Sequence, residues 1–444
     1  MNEIYQYIQQ GGFDCQCGKT HSSTLKELIV ESGALQKIPQ LIAKYNGRKV
    51  FVLTDANIYA AAGERVCSIL MDAGIPYTCY IFEQDHLEPD EWAIGSAVMH
   101  FDTSCDLILG VGSGVINDIG KILANMTGKT YMIAATAPSM DGYASATSSM
   151  ARSGLKVSLN SCCPSVIIGD LDVLSAAPAK MLQSGLGDMI AKYVSICEWR
   201  IANLIIGEEY CPVIAQMVRD AVHKCVTNAE ALVRRDPEAV AAVMEGLVIT
   251  GIAMSYAGMS RPASGMEHYF SHIWDMRGLS FGTNIDTHGI QCGIGTLMGI
   301  RTYEEIRKLV PDAEKALAYA AAFDCEAWND TLRSFLGAGA EAMIQNERKE
   351  GKYDKEKHKK RLQVILENWD QILQIIADEI PSFQFVLDAL IAVDAPTQPD
   401  EIGLTLEETY GAFLTAKDIR DKYVGTRLLW DLGMLEEIAE KLFR

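Results

Sequence analysis

The stretch from Ser264 to Gly289, SGMEHYFSHIWDMRGLSFGTNIDTHG, holds three of the eight histidines in the chain. His268 and His272 are four residues apart. On a helix that spacing stacks both rings on one face, about one turn apart. His288 follows sixteen residues later, directly before Gly289. Neutral imidazole is the commonest metal-ligating side chain, so three rings arriving from two segments can form a metal site. The alternative is a helix cap with satisfied surface histidines. Spacing alone lets either member of the 268/272 pair face a metal.

Asp188 strengthens the metal reading. It lies in SGLGDMIAKY, an otherwise apolar helical stretch. A carboxylate there is costly to bury unless it is paired or bound to a cation. With His268 and His288 it makes a set of one carboxylate and two imidazoles. Such a set leaves coordination positions open for a substrate oxygen. Cys15, Cys17 and His21 are a second group of possible ligands, without an obvious fourth; the alternative there is a hairpin with incidental thiols. Cys162 and Cys163 are adjacent and match no zinc spacing.

Gly110 to Asp118 reads GVGSGVIND and runs from a strand-like DLILG into a helical IGKILANM. Glycines let a backbone approach a pyrophosphate, and a helix N-terminus offers it free N–H groups and a positive dipole end. The spacing does not meet G-x-G-x-x-G. Asp55, closing the run KVFVLT, can accept from a ribose hydroxyl or cap the next helix. Thr136 to Ser149, TAPSMDGYASATSS, is rich in hydroxyls although it follows a buried strand pattern. Loops at that end of parallel strands are where open α/β sheets bind ligands. Lys156, nearby in GLKVS, can meet a phosphate as a point charge or lie solvated on a strand.

The elements that must position these residues are legible in outline. Lys49–Thr54, Tyr77–Phe82, Asp106–Gly110 and Thr130–Ala134 read as short buried strands, with helices at Ala61–Ala73 and Trp92–Phe101. Alternation of this kind implies a parallel, doubly wound sheet. Beyond about Ser175 helices dominate: Ala179–Leu204, Cys211–Arg234, Pro237–Ala257, Ile290–Val310 and most of the chain from Asp312. The charged run Gln345–Arg361 is a solvated helix face or loop. There is no internal repeat.

The 444 residues carry 39 Lys plus Arg against 58 Asp plus Glu, a formal charge of −19. That excludes nucleic acid or an anionic membrane as the main partner, while an anionic small molecule needs a local basic pocket. The N-terminus lacks the basic and apolar regions of a signal peptide, and no apolar run approaches the roughly 20 residues of a membrane-spanning helix. A cytoplasmic location is therefore expected, with most of the twelve cysteines acting as small buried hydrophobes.

Taken in order, GVGSGVIND, TAPSMDGYAS, SGLGD, SGMEHYFSH and DTHG resemble the family of iron-dependent alcohol dehydrogenases, glycerol dehydrogenases and dehydroquinate synthases. PSMDGYAS followed by SGMEH resembles its glycerol-1-phosphate branch, of bacterial type. The resemblance covers most of the chain. It implies a dehydroquinate synthase-like fold: an α/β dinucleotide-binding domain over residues 1–174, then an all-helical metal- and substrate-binding domain over 175–444. It implies Asp188, His268 and His288 as metal ligands, and His272 as a substrate contact and proton relay. It places the cofactor pyrophosphate on Gly112, Ser113, Gly114 and Asp118. Thr136, Ser139, Asp141 and Ser145 would line nicotinamide and substrate, with Asp141 also catalytic. Lys156 would fall beside that wall, and with the hydroxyl-rich loop and Arg261 it is expected to hold a phosphate.

The implied reaction is reversible reduction of dihydroxyacetone phosphate to sn-glycerol 1-phosphate by a homodimer. The implied cofactors are NAD or NADP and one divalent metal, zinc or nickel ahead of iron or manganese. The alternatives are a glycerol dehydrogenase acting on unphosphorylated glycerol, a dehydroquinate-synthase-like lyase, and a catalytically silent binding protein.

Overall fold

Ten strands are present among the described residues. In chain order they are β1 (Gly12–Asp14), β2 (Thr20–Ser22), β3 (Glu27–Glu31), β4 (Val50–Asp55), β5 (Tyr77–Phe82), β6 (Leu107–Gly112), β7 (Thr130–Ala135), β8 (Thr147–Arg152), β9 (Leu155–Asn160) and β10 (Val166–Asp170). The structure is a computed structural model that describes residues 2–84, 86–152 and 155–444.

Six strands form one sheet in the order β3-β10-β7-β6-β4-β5, and every pairing in it is parallel. The four strands expected from the sequence are present, β5 with the same ends and the others with ends shifted by at most two residues. β3 and β10 were not expected. They pair with each other along their full lengths, and β10 joins them to β7. The sheet buries Val50, Val52, Leu107, Leu109, Val111, Met132, Ala134, Val166 and Ile168 against helix residues such as Ile38, Leu41, Val66 and Leu70. β1–β2 and β8–β9 are separate antiparallel hairpins.

The chain divides into two compact units, Met1–Met189 with Val213–Met259, and Ile190–Pro212 with Ser260–Arg444. These divisions differ from the expected 1–174 and 175–444. The reason is packing rather than helicity: the Pro237–Ala257 helix lies against β2, β3 and the turn Asp141–Ala144, so it belongs with the sheet. Asp236 caps its N-terminus by accepting from the Glu238 and Ala239 N–H groups, Pro237 opens it, and Gly258 closes it with φ 67. An 18-residue window of this helix has a mean hydropathy of 1.6, which corrects the expectation that no apolar run reaches spanning length. That window is 78% buried, as a core helix should be.

All regular elements among the described residues of the second unit are helices. Two of its helices, Met266–Phe281 and His288–Ile306, pack closely on each other. The expected helical stretch Ala179–Leu204 is two helices, Ala179–Ile190 and Lys192–Ile206. The charged run 345–361 spans two helices, separated at Gly351 in a left-handed conformation.

Candidate metal centre and cofactor turn

In the helical unit the sequence places His268 in the first turn of Met266–Phe281 and His288 at the start of His288–Ile306. The two helices touch because Gly295 has no side chain: a Cβ there would stand 2.6 Å from the Glu267 carbonyl oxygen. This close approach sets the ring centroids of His268 and His288 4.9 Å apart. His272 is farther, 6.4 Å from His268 and 5.9 Å from His288. Gln291 ties the same helices by donating from Nε2 to Asp275 Oδ1 at 2.8 Å.

His268 and His288 each have an outer partner on Nδ1. His268 Nδ1 lies 2.8 Å from Glu267 Oε1, which also accepts from the Gly265 N–H at 2.6 Å. The carboxylate oxygen accepts from both, which assigns the ring proton to Nδ1 and leaves the lone pair on Nε2. His288 Nδ1 lies 3.1 Å from Ser271 Oγ. Carboxylate and hydroxyl partners of this kind orient metal-binding imidazoles and raise their basicity.

Behind Glu267 stands a second buried carboxyl, Glu198. It accepts from the Met266 N–H at 2.9 Å, the Gly425 N–H at 2.6 Å and the Tyr303 hydroxyl at 3.1 Å. Burial first, and the Glu267 charge second, push its pKa up to about 8.

Cys292 was missed in the sequence. It sits one helical turn after His288, with Sγ 3.6 Å from His288 Nε2. The donor atoms of His268, His288 and Cys292 all lie within 4.8 Å of one another. Burial opposes ionisation of the thiol, but the two imidazoles beside it bring its pKa below the ordinary value. The signal available in the sequence was its i, i+4 spacing from His288 within one apolar helix.

In the sheet unit Asp188 lies on Ala179–Ile190 and is completely buried. Its Oδ2 accepts from the Asp141 N–H at 2.9 Å, and Ser184 Oγ donates to the Ser139 carbonyl at 2.9 Å. The helix comes this close to the 136–145 loop at Gly185, where a Cβ would meet the Pro138 carbonyl oxygen at 1.9 Å. Glycine and aspartate of SGLGD are therefore one device. The first brings the helix onto the loop backbone, and the second hydrogen-bonds to it.

The glycine turn stands where expected. β6 ends at Gly112, Ser113 is the N-cap without a side-chain cap bond, and the helix Gly114–Thr127 follows. Asp118 in that helix pairs with Lys121 Nζ at 3.0 Å, yet burial still raises its pKa. Lys121 was not singled out in the sequence. It is fully buried and donates to the Gly142 carbonyl at 3.0 Å and to Ser145 Oγ at 3.2 Å, pinning the hydroxyl-rich loop to the turn helix. Ser145 Oγ in turn donates within its own loop. Thr136 and Asp141 are buried, and the Thr136 N–H donates to the Gly112 carbonyl at 3.1 Å.

Lys156 is on β9 opposite Ala151, half-buried, with its charge felt at the Asp118 carboxylate. Asp55 caps the next helix through Oδ1, which accepts from the Ile58 N–H at 2.9 Å. Arg261 does not fit the phosphate contact expected of it. Its guanidinium is buried and committed, bidentate to Glu208 at 2.7 and 2.6 Å and donating to the Tyr423 carbonyl at 3.0 Å.

Comparison with known proteins adds the family context. The profile described as iron-containing alcohol dehydrogenase matches residues 29–178. The glycerol-1-phosphate dehydrogenase [NAD(P)+] of Halalkalibacterium halodurans is 31% identical over 315 residues, 70% of this chain and 79% of that protein. The protein of the same description from Bacillus subtilis is 26% identical over 432 residues, 97% of each chain. Among solved structures, glycerol dehydrogenase from Schizosaccharomyces pombe superposes with a TM-score of 0.60 at 16% identity, covering 94% of this chain and 90% of that one. That likeness shows the shared fold.

Proposed function

The chain belongs to the glycerol-1-phosphate dehydrogenase family, and from that premise we propose that it reversibly reduces dihydroxyacetone phosphate to sn-glycerol 1-phosphate with NAD(P)H. The observation that carries the reading is the pair His268, buried, and His288, half-buried, whose Nδ1 atoms are each engaged by an outer partner. That donor set fits a divalent cation. Its ligands are Asp188, His268 and His288, and Cys292 adds a soft donor that favours zinc over manganese. When bound, the metal supplies a Lewis acid for the substrate carbonyl and the nicotinamide supplies the hydride.

The protein's own contribution is orientation and proton handling. Glu267 and Ser271 hold two imidazoles so that binding costs little reorganisation. His272, one turn from His268, is the proton donor to the product oxygen. The N–H groups of Ser113 and Gly114, at the start of the Gly114–Thr127 helix, receive the cofactor pyrophosphate. Gly112 and Asp118 flank that turn, with Asp55 on the ribose side. Thr136, Ser139, Asp141 and Ser145 line nicotinamide and substrate on a loop that Lys121 and Asp188 keep rigid. Lys156 is the cation for the substrate phosphate. A homodimer working in the cytoplasm belongs to the same proposal.

A substrate panel tests it. Dihydroxyacetone phosphate, dihydroxyacetone and glycerol are offered with NADH, NADPH or their oxidised forms after loading with zinc, nickel, iron or manganese. Fast, chelator-sensitive oxidation of reduced cofactor with the phosphorylated ketone is the expected result. Preference for unphosphorylated glycerol, or turnover without net consumption of NADH, would refute it.

A further inference from the structure

We propose that the N-terminal hairpin is a second metal site, in which Cys15, Cys17 and His21 hold a zinc-class cation. The hairpin pairs β1 with β2, placing Phe13 opposite His21 and Asp14 opposite Thr20. Its turn is closed by two backbone bonds: the Cys15 N–H donates to the Lys19 carbonyl at 2.9 Å, and the Gly18 N–H to the Cys15 carbonyl at 3.0 Å. Gly18 takes φ +85, which an L side chain rarely adopts. The turn brings the sulfur atoms of Cys15 and Cys17 and a ring nitrogen of His21 within 4.8 Å of one another. Cys17 Sγ is 3.2 Å from His21 Nε2. Zinc bound tetrahedrally by thiolate and imidazole spaces its donors by about 3.5–3.8 Å, and the three donor atoms here lie within 4.8 Å of one another.

The histidine is prepared for this role. Its Nδ1 lies 2.8 Å from the Tyr256 carbonyl oxygen, which can only accept. The proton of the neutral ring is therefore on Nδ1, and the bare Nε2 is the atom that faces sulfur. Metal-bound imidazoles carry this outer partner. The ring is 2% exposed, with Phe13 and Tyr256 packed around it at centroid distances of 5.3 and 6.1 Å.

A two-stranded hairpin is marginal in water by itself, and a metal clip supplies what its small ladder lacks. Thiolate and imidazole donors select zinc over magnesium, calcium or manganese. Cys17 is exposed, which gives the ion an entry path. None of the three residues belongs to the proposed catalytic centre, so the two assignments stand or fall separately.

The test uses the full chain in a His288→Ala background, where the catalytic centre is disabled. After zinc loading under reducing conditions and gel filtration, about one ion per chain is expected by elemental analysis. Cys15→Ser and Cys17→Ser each remove it while circular dichroism stays unchanged. Loading with cobalt should give a thiolate charge-transfer band that Cys17→Ser abolishes. If a serine variant does not fold, alkylation of the parent chain replaces it: bound zinc should protect Cys15 and Cys17 from iodoacetamide, and a chelator should expose them. A parent chain that retains no zinc, equal zinc in the Cys15→Ser/Cys17→Ser double variant, or alkylation that is indifferent to zinc would each overturn the proposal. In the background with His288 intact, Cys17→Ser should leave turnover unchanged.

Discussion

The N-terminal hairpin and the helix pair around Gly295 both gather imidazole and thiol, but by opposite means. The hairpin takes its donors from one short turn, so local backbone bonds fix their spacing. The helix pair takes His268 from one helix and His288 with Cys292 from another, so their spacing exists only once the helices are packed. The outer partners differ too. A backbone carbonyl holds the hairpin imidazole, whereas a carboxylate holds His268. A carbonyl chiefly orients the ring. A carboxylate also raises its basicity, which suits a centre that must tune a cation's acidity as well as hold it.

The largest expected effect separates the two regions by function. His268→Ala or His288→Ala should lower kcat/KM for dihydroxyacetone phosphate by about a thousandfold or more, the equivalent of losing several kcal/mol of charge stabilisation. The loss should be accompanied by loss of bound metal at the helix pair. His272→Ala should lower turnover with metal content intact. Metal loss from the His272 variant alone would reverse the assignment within the cluster.

The second effect concerns the outer partner. Glu267→Gln should weaken zinc binding by about 10–100-fold, read by chelator competition. No side-chain change can remove the corresponding partner of His21, because it is main chain. Unaltered zinc affinity in Glu267→Gln would show that the carboxylate is only structural.

Third, the glycines of the two regions should respond differently to an added methyl. Gly295→Ala drives a Cβ into the Glu267 carbonyl and should cost about 1–3 kcal/mol in denaturant unfolding, with loss of metal affinity. Gly18→Ala faces open space and should cost about 1 kcal/mol, from backbone conformation alone.

The smallest effect is a pH dependence. The folded-state pKa of Glu198 is about 8, above its ordinary 4.5, so the folded state holds the proton more tightly. The stabilisation this provides is complete below the unfolded value and is lost as pH rises through about 8. Thermal midpoints between pH 5 and 9 should therefore fall more steeply in the parent chain than in Glu198→Gln. The variant is expected to be less stable overall, since both Glu198 oxygens accept backbone N–H groups. Parallel curves would show that Glu198 does not titrate in this range.

The same contrast between local and packed features explains what could be read from the sequence. β5 was legible to the residue, and β4, β6 and β7 nearly so, because a buried parallel strand is a local apolar run. β3, with glutamates at both ends of ELIVE, and β10, following CCPS, lack that signature and are strands because they pair with each other. Helices 179–190 and 237–257 were legible as helices but not as parts of the sheet unit, since amphipathic pattern does not name the surface a helix packs on. Of the proposed metal ligands, the histidines and Asp188 are singled out in the sequence by type and spacing. Glu267, Ser271 and Lys121 are not, because supporting contacts are defined by packing rather than by motif, and Cys292 was missed although its spacing from His288 is visible in the sequence.

The hydrogen bond from the Asp141 N–H to Asp188 has a thermodynamic consequence. One carboxylate oxygen is committed to the loop proposed to meet the dinucleotide, and the same residue is proposed to bind the cation. Any shift of the loop on binding one ligand then alters the site offered to the other. By linkage the two affinities must change by the same factor in either order of addition. Titrating NADH with and without zinc, and zinc with and without NADH, should close that cycle.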